Sequence, residues 1–345
     1  MGITQQEALN WLGSDDLLGL GMAANAMRNR KTDPRVATYQ IDRNINYTNF
    51  CTEYCSFCAF YRPMGSGEGY IRTIDEMSAK IDEMLALGGT GILLQGGLHA
   101  DLKIEWYEGM LRALRMRYPQ VHLHCFSAPE IINIAELSGL TMRDTIARLR
   151  DAGLASIPGG GAEILDDEVR RRISRLKCTA DEWEQVHRTA HALGLRTTAT
   201  MMFGCGEELR HRVNHLERVR RLQEETGGFT AFIPWIFAPE NTSLGRRVQE
   251  TTAVDYLKTL AVSRLYLDNI DHIQTSWLTP GIKVCQVGLQ FGADDVGSIL
   301  IEENVVYAAG VRNRTNEAEL RRIIADAGYI PAQRDTLYRS YILKN

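Results

Sequence analysis

Between Tyr39 and Trp277 the chain returns seven times to a short apolar, β-prone run: YQIDRNINY from Tyr39, TGILLQ from Thr90, VHLHCF from Val121, ASIP from Ala155, RTTATMMF from Arg196, FTAFIPW from Phe229 and HIQTSW from His272. Each interval is long enough for a helix, and strands that alternate with crossover helices pair in parallel. The first interval carries the signals in full. Thr73 and Glu76 are placed for a capping box, Met77, Ile81, Met84 and Leu85 share one helical face, and Gly88-Gly89 stop the helix. With a possible eighth strand at VCQVGL or NVVYAA, the pattern predicts an α/β fold: a (β/α) TIM-type barrel, complete with eight units or open with six. In such a barrel the chemistry gathers at the carboxyl ends of the strands.

With 345 residues, 44% of them apolar, the chain can bury a large core, and barrels of about 250 residues or more form one domain. The expectation is a single domain over 1–345. Residues 1–38 read as a helical extension that buries Leu9, Leu12, Leu17, Leu18 and Leu20, residues 39–310 as the barrel, and 311–345 as a closing helix and tail. A formal charge of −4 argues against nucleic acid or a membrane surface as partner, since either calls for a dominant basic face. A small-molecule substrate fits better. MGITQQEALNWLG lacks the basic start and apolar centre of a signal peptide, and no stretch approaches the ~18 apolar residues of a membrane span, so a cytoplasmic protein is expected. The seven cysteines, three of them within eight residues, point to metal or redox chemistry in a reducing compartment rather than to disulfides.

Those three lie in CTEYCSFC, a C-x3-C-x2-C loop at the end of the first strand run. Three thiolates from Cys51, Cys55 and Cys58 would leave one iron of a four-iron cluster free to bind an amino and a carboxylate group. A three-cysteine zinc site is the alternative, but zinc wants a fourth ligand and no histidine is near in sequence. The loop resembles that of the radical S-adenosylmethionine superfamily. The resemblance implies a [4Fe-4S] cluster on the three cysteines with S-adenosylmethionine at the open iron. It also implies that Phe57 lies beside the adenine and that the backbone of QGGLH, with Gln95, Gly96 and Gly97, receives the methionine ammonium.

Over nearly its whole length the chain further resembles the family that makes cyclic dehypoxanthine futalosine. The segments concerned are NYTNFCTEYCSFCAFYRP, LQGGLHADL, HLHCFSAPEI, SIPGGGAEIL, TTATMMFG, GGFTAFIPW, IQTSW and GLQFGADDVGSILIEENVV. Aminofutalosine synthase and the deazaflavin-cofactor synthase subunits share the cysteine loop and parts of GGGAE, whereas IQTSW with GADDVGSILIEENVV favours the cyclase. What the resemblance implies is a step of menaquinone biosynthesis. A 5′-deoxyadenosyl radical takes hydrogen from the ribose C4′ of dehypoxanthine futalosine, and the carbon radical closes onto the benzoate-bearing ring. A flavodoxin- or ferredoxin-type reductant supplies electrons. The non-enzyme alternative is a protein whose cysteine loop binds metal structurally.

Other candidates follow from position. Period-two alternation in HLHCF puts His122 and His124 inward, His124 nearer the catalytic end, unless both are satisfied interior histidines. Ser127, Glu130 and Glu163 fall just beyond strand ends; the resemblance assigns Glu163 to the cofactor, and helix capping is the plain alternative. Gln274 and Ser276 share a strand face, and Asp294 and Asp295 sit between glycines in a loop, where all could meet substrate hydroxyls. Arg62 is the arginine nearest the cysteines for a benzoate carboxylate, with a surface position as its alternative. Cys125, Cys178, Cys205 and Cys285 read as incidental thiols.

Overall fold

The structure is a computed structural model that describes residues 2–343. Its strands are β1 (Val36–Gln40), β2 (Asp42–Asn46), β3 (Gly91–Gln95), β4 (His122–Cys125), β5 (Ser156–Ile157), β6 (Arg196–Phe203), β7 (Phe229–Ile236), β8 (His272–Ile273), β9 (Asp295–Ser298), β10 (Ile330–Arg334) and β11 (Tyr341–Leu343). Strands β2 to β8 pair in sequence order, all parallel, with at least one helix in every connection. Single bridges then join the two edges of this sheet: Gln274 after β8 to Asp295 of β9, and Ile301 to Arg43 of β2. Segment 295–301 is thus the eighth stave of the barrel, held by isolated bridges rather than by a ladder.

Side-chain alternation builds the interior. In β4, Leu123 and Cys125 are fully buried under the helices while His122 and His124 turn inward; in β6, Thr198 and Thr200 turn inward between buried Ala199 and Met201. Outside, the helix Ile74–Ala86 begins with the Thr73–Glu76 capping box and buries Met77, Ile81 and Met84. Each fully buried aliphatic side chain of this kind contributes about 1.5–3 kcal/mol. Among the described residues no helix is long and apolar enough to cross a membrane.

Three expectations are corrected. The run from Tyr39 is two strands in two sheets: β1 pairs in parallel with β10 and β9, and only β2 enters the barrel sheet. The N-terminal helices accordingly end at Lys31. The eighth strand is neither VCQVGL nor NVVYAA, which are the helices Ile282–Gly288 and Val305–Ala308; it is β9. Its start is too acidic to read as a buried strand, yet Asp295 is fully buried because Arg334 pairs with it at 2.5 Å. The closing helix Glu317–Asp326 is present, but β10 and the antiparallel edge strand β11 follow it, so the tail completes a second, four-stranded sheet, β11-β10-β1-β9.

Candidate active site

A cavity of about 430 Å³ runs from the cysteine loop into the barrel. Of the residues singled out from sequence, Cys51, Cys55, Cys58, Phe57, Gln95, Gly96, Gly97, Ser127, Glu163, His124, Glu130, Gln274 and Ser276 line it. The cysteine loop is anchored through its backbone: Cys51 N–H donates to Arg62 O at 3.0 Å, Thr52 N–H to Leu98 O at 3.1 Å and Ser56 N–H to Ile173 O at 2.8 Å. Gly97 lies flat against it. A Cβ there would sit 2.2 Å from Phe50 O and 2.8 Å from Cys51 Cβ, so only glycine lets the two loops meet.

The three thiols are free, Cys51 and Cys55 buried and Cys58 half-buried. Burial pushes Cys55 up to about 12 and raises Cys51. Among the described residues the acidic, histidine or cysteine set with ligand atoms all within 4.8 Å of one another is Asp166, Glu168 and His211, not the three cysteines. A further group faces the same space: Glu53, inside the motif, has a buried Oε2 without a protein partner.

Glu163 adopts φ +41° after Gly159-Gly160-Gly161, and its carboxylate meets Lys177 Nζ at 2.5 Å. Burial would raise this carboxyl, but the ammonium outweighs it and holds Glu163 below its ordinary value. Lys177 also lies 5.2 Å from the centre of the Phe57 ring, so one cation links the carboxylate to the aromatic beside the cysteines. Glu130 has a different environment. It accepts four hydrogen bonds, from Tyr47 Oη at 2.8 Å, Gly96 N at 2.9 Å, and Ser127 N and Oγ at 2.6 Å each. Ser127 and Glu130 thus form the cap of the helix Ala128–Ser138 while fixing the Gly96 backbone. Glu130 works as an anchor of the cavity wall rather than as a free substrate ligand.

Three placements differ from expectation. Arg62 is not in the lining; its guanidinium bonds Glu68 at 2.6 Å and the carbonyls of Ala59, Phe60 and Tyr61, because the chain turns back on itself there. Asp295 is also behind the lining, in a strand and not a loop, bonded to Thr38 Oγ1 at 2.6 Å and to Arg334. Asp294 likewise is buried, against Arg264 and His272. Lys177, Asp42 and Arg334 line the cavity and carry no sequence signal that singles them out. Asp42, bonded to Ser298 Oγ, is pushed up to about 6 by burial. Arg334 stacks over the Tyr338 ring at 3.9 Å, and Tyr338 stacks on His272 with ring centres 4.1 Å apart.

With three thiols of one loop and the glycine pair gathered at the strand ends, the comparison with known proteins decides the lineage. Residues 45–219 match the model of the Radical SAM superfamily. The chain belongs to that superfamily. Residues 226–344 match the CofH/MqnC C-terminal region. Two relatives are described as cyclic dehypoxanthine futalosine synthase: one from Halalkalibacterium halodurans, 45% identical over 97% of this chain and 90% of its own length, and one from Streptomyces coelicolor, 43% identical over 99% and 86%. Relatives with other names stand at 37–42% identity. Methylornithine synthase shares the fold of this radical SAM chain, with a TM-score of 0.74 at 20% identity over 96% of this chain and 95% of that one.

Proposed function

We propose that this radical SAM protein converts dehypoxanthine futalosine to cyclic dehypoxanthine futalosine in the futalosine route to menaquinone. The observation that carries the reading is the meeting of Cys51, Cys55, Cys58, Gly96-Gly97 and Glu163 in one cavity, in a chain with two near-full-length relatives, at 45% and 43% identity, that bear that name. A [4Fe-4S] cluster would be held by the three cysteines, and S-adenosylmethionine by Phe57, Gln95, the Gly96-Gly97 backbone, Ser127 and Glu163. When bound, this pair supplies a one-electron cleavage that yields a carbon radical able to take hydrogen from the ribose C4′.

The chain's own work is to position the substrate and keep water out. Trp235, Trp277 and Leu278 give the cavity apolar walls, while among the described residues no protein group hydrogen-bonds the side-chain polar atoms of Gln274 and Ser276, which are available to ribose hydroxyls. Arg334, at the end of the barrel where β2 begins, is the arginine of the lining, but its guanidinium is already held by Asp295 and Gln40, so no carboxylate role is assigned to it. Ring closure follows within the substrate, which then loses one electron and one proton. The enzyme works in the cytoplasm and draws electrons from a flavodoxin- or ferredoxin-type donor.

Substrate deuterated at C4′ tests the reading. The label should pass into 5′-deoxyadenosine while cyclic product appears in comparable amount. Unlabelled 5′-deoxyadenosine, or an adduct that keeps the adenosyl group as aminofutalosine synthase makes, would overturn it.

A further inference from the structure

Closure of a carbon radical onto an aromatic ring leaves a ring carbon bearing both its hydrogen and the new bond, and aromaticity returns only when that proton and one electron depart. The cavity must therefore hold a base, and its proton needs a way out. On β4, His124 lines the cavity, its Nδ1 2.6 Å from Ser156 Oγ on β5; no protein group among the described residues bonds its Nε2. Two residues earlier, His122 Nε2 lies 2.6 Å from the same Ser156 Oγ. Ser156 is fully buried and stands directly beside His124 in the parallel register. His122 keeps partial exposure yet lies outside the cavity lining, at the strand start and thus at the end of the barrel opposite the cysteines. One hydroxyl between two imidazoles can accept from one ring and donate to the other.

We infer that His124, Ser156 and His122 form a proton relay that carries the ring proton from the cavity to the far end of the barrel. The inference rests on the proposed activity. The cyclised substrate radical gives its ring C–H pair to restore aromaticity: the proton goes to His124 Nε2, and the electron to a one-electron acceptor of the iron–sulfur class. The His124 Nδ1 proton moves to Ser156, the Ser156 hydroxyl proton moves to His122 Nε2, and the His122 Nδ1 proton leaves to solvent. Both rings suit transit rather than storage. Burial pushes His124 down to about 3, reinforced by His122 and Arg334, and His122 to about 4, reinforced by Arg339 and Arg115 against Asp335. Neither ring keeps a positive charge near neutral pH, so a proton that enters is passed on.

The test compares wild type with Ser156→Ala, Ser156→Thr and His122→Gln, each reconstituted anaerobically and matched for iron content. With C4′-deuterated substrate, the ratio of cyclic product to labelled 5′-deoxyadenosine should fall at least tenfold in Ser156→Ala and His122→Gln and recover in Ser156→Thr. Independently of turnover, 15N spectra of the histidines in unreduced protein should show His124 as the Nδ1–H tautomer in wild type. An unchanged product ratio in both relay variants, a His124 ring protonated at Nε2 at rest, or loss of closure in Asp42→Asn alone would overturn the relay. Failure of wild type to label 5′-deoxyadenosine would instead remove the activity on which it rests.

Discussion

Replacing Glu130 by glutamine changes one atom in a carboxylate that holds the cavity wall together. Oε1 receives Tyr47 Oη and Gly96 N–H; Oε2 receives Ser127 N–H and Oγ–H. An amide must turn its NH2 toward one of these pairs. The hydroxyl of that pair can rotate and accept, but a backbone N–H cannot, so either Gly96 or Ser127 is left facing another donor. A lost bond to a charged acceptor costs about 1.5–3 kcal/mol and a stranded buried N–H about 1–3 kcal/mol. Part of this is offset, since burial raises the Glu130 carboxyl despite its four donors and the amide carries no charge to bury. The net loss is about 2–4 kcal/mol, read by anaerobic urea unfolding of the reconstituted protein followed by tryptophan fluorescence. Because Gly96 is one of the two groups at risk, affinity for S-adenosylmethionine should fall about tenfold, or 1.4 kcal/mol. Stability within about 0.5 kcal/mol of wild type together with unchanged cofactor affinity would refute the assignment of Glu130 as the anchor.

Three further outcomes are expected. Wild type reconstituted anaerobically should carry about four irons per chain; Cys51→Ser, Cys55→Ser and Cys58→Ser should each abolish them and Cys125→Ser should not, which iron and sulfide analysis would check. Asp295→Ala leaves the buried Arg334 charge uncompensated and should cost about 3–5 kcal/mol in unfolding, most of it recovered when Arg334→Met is added. Asp42 titrates near 6 when folded and near 3.8 when unfolded, so the folded state binds the proton more tightly and the contribution is full below about pH 4 and lost as pH rises through 6. Urea titrations should accordingly show wild type gaining about 2.5 kcal/mol relative to Asp42→Asn between pH 7.5 and 4.

What could be read from sequence follows from periodicity and spacing. The C-x3-C-x2-C loop, the glycine pair and the inward face of HLHCF depend on residues close together in the chain, so local rules place them. The Thr73–Glu76 cap was legible for the same reason. The eighth stave was not, because Asp294 just before β9 and Asp295 at its start are buried only through Arg264 and Arg334, 30 and 39 residues away. Lys177 shows the same limit: its pairing with Glu163 spans a helix and a loop, and nothing in ISRLKCTA marks that lysine. Arg62 failed as a carboxylate ligand because nearness in sequence to the cysteines did not survive the turn that commits it to Glu68.

The pairing of β1 with β10 sets a timetable for assembly. Val36 lies opposite Ile330, so a ribosome delivers β1 roughly 290 residues before its partner, a wait of roughly 15–60 s at about 5–20 residues per second. Through that interval β1 is an unclaimed edge beside a barrel already able to form most of its staves, and Asp295 emerges before the arginine that neutralises it. β10 and β11 therefore act as the latch of the catalytic chamber, and a chain cut short of Ile330 would reach the iron–sulfur loading machinery with its cysteine loop complete and its chamber still open at the opposite end.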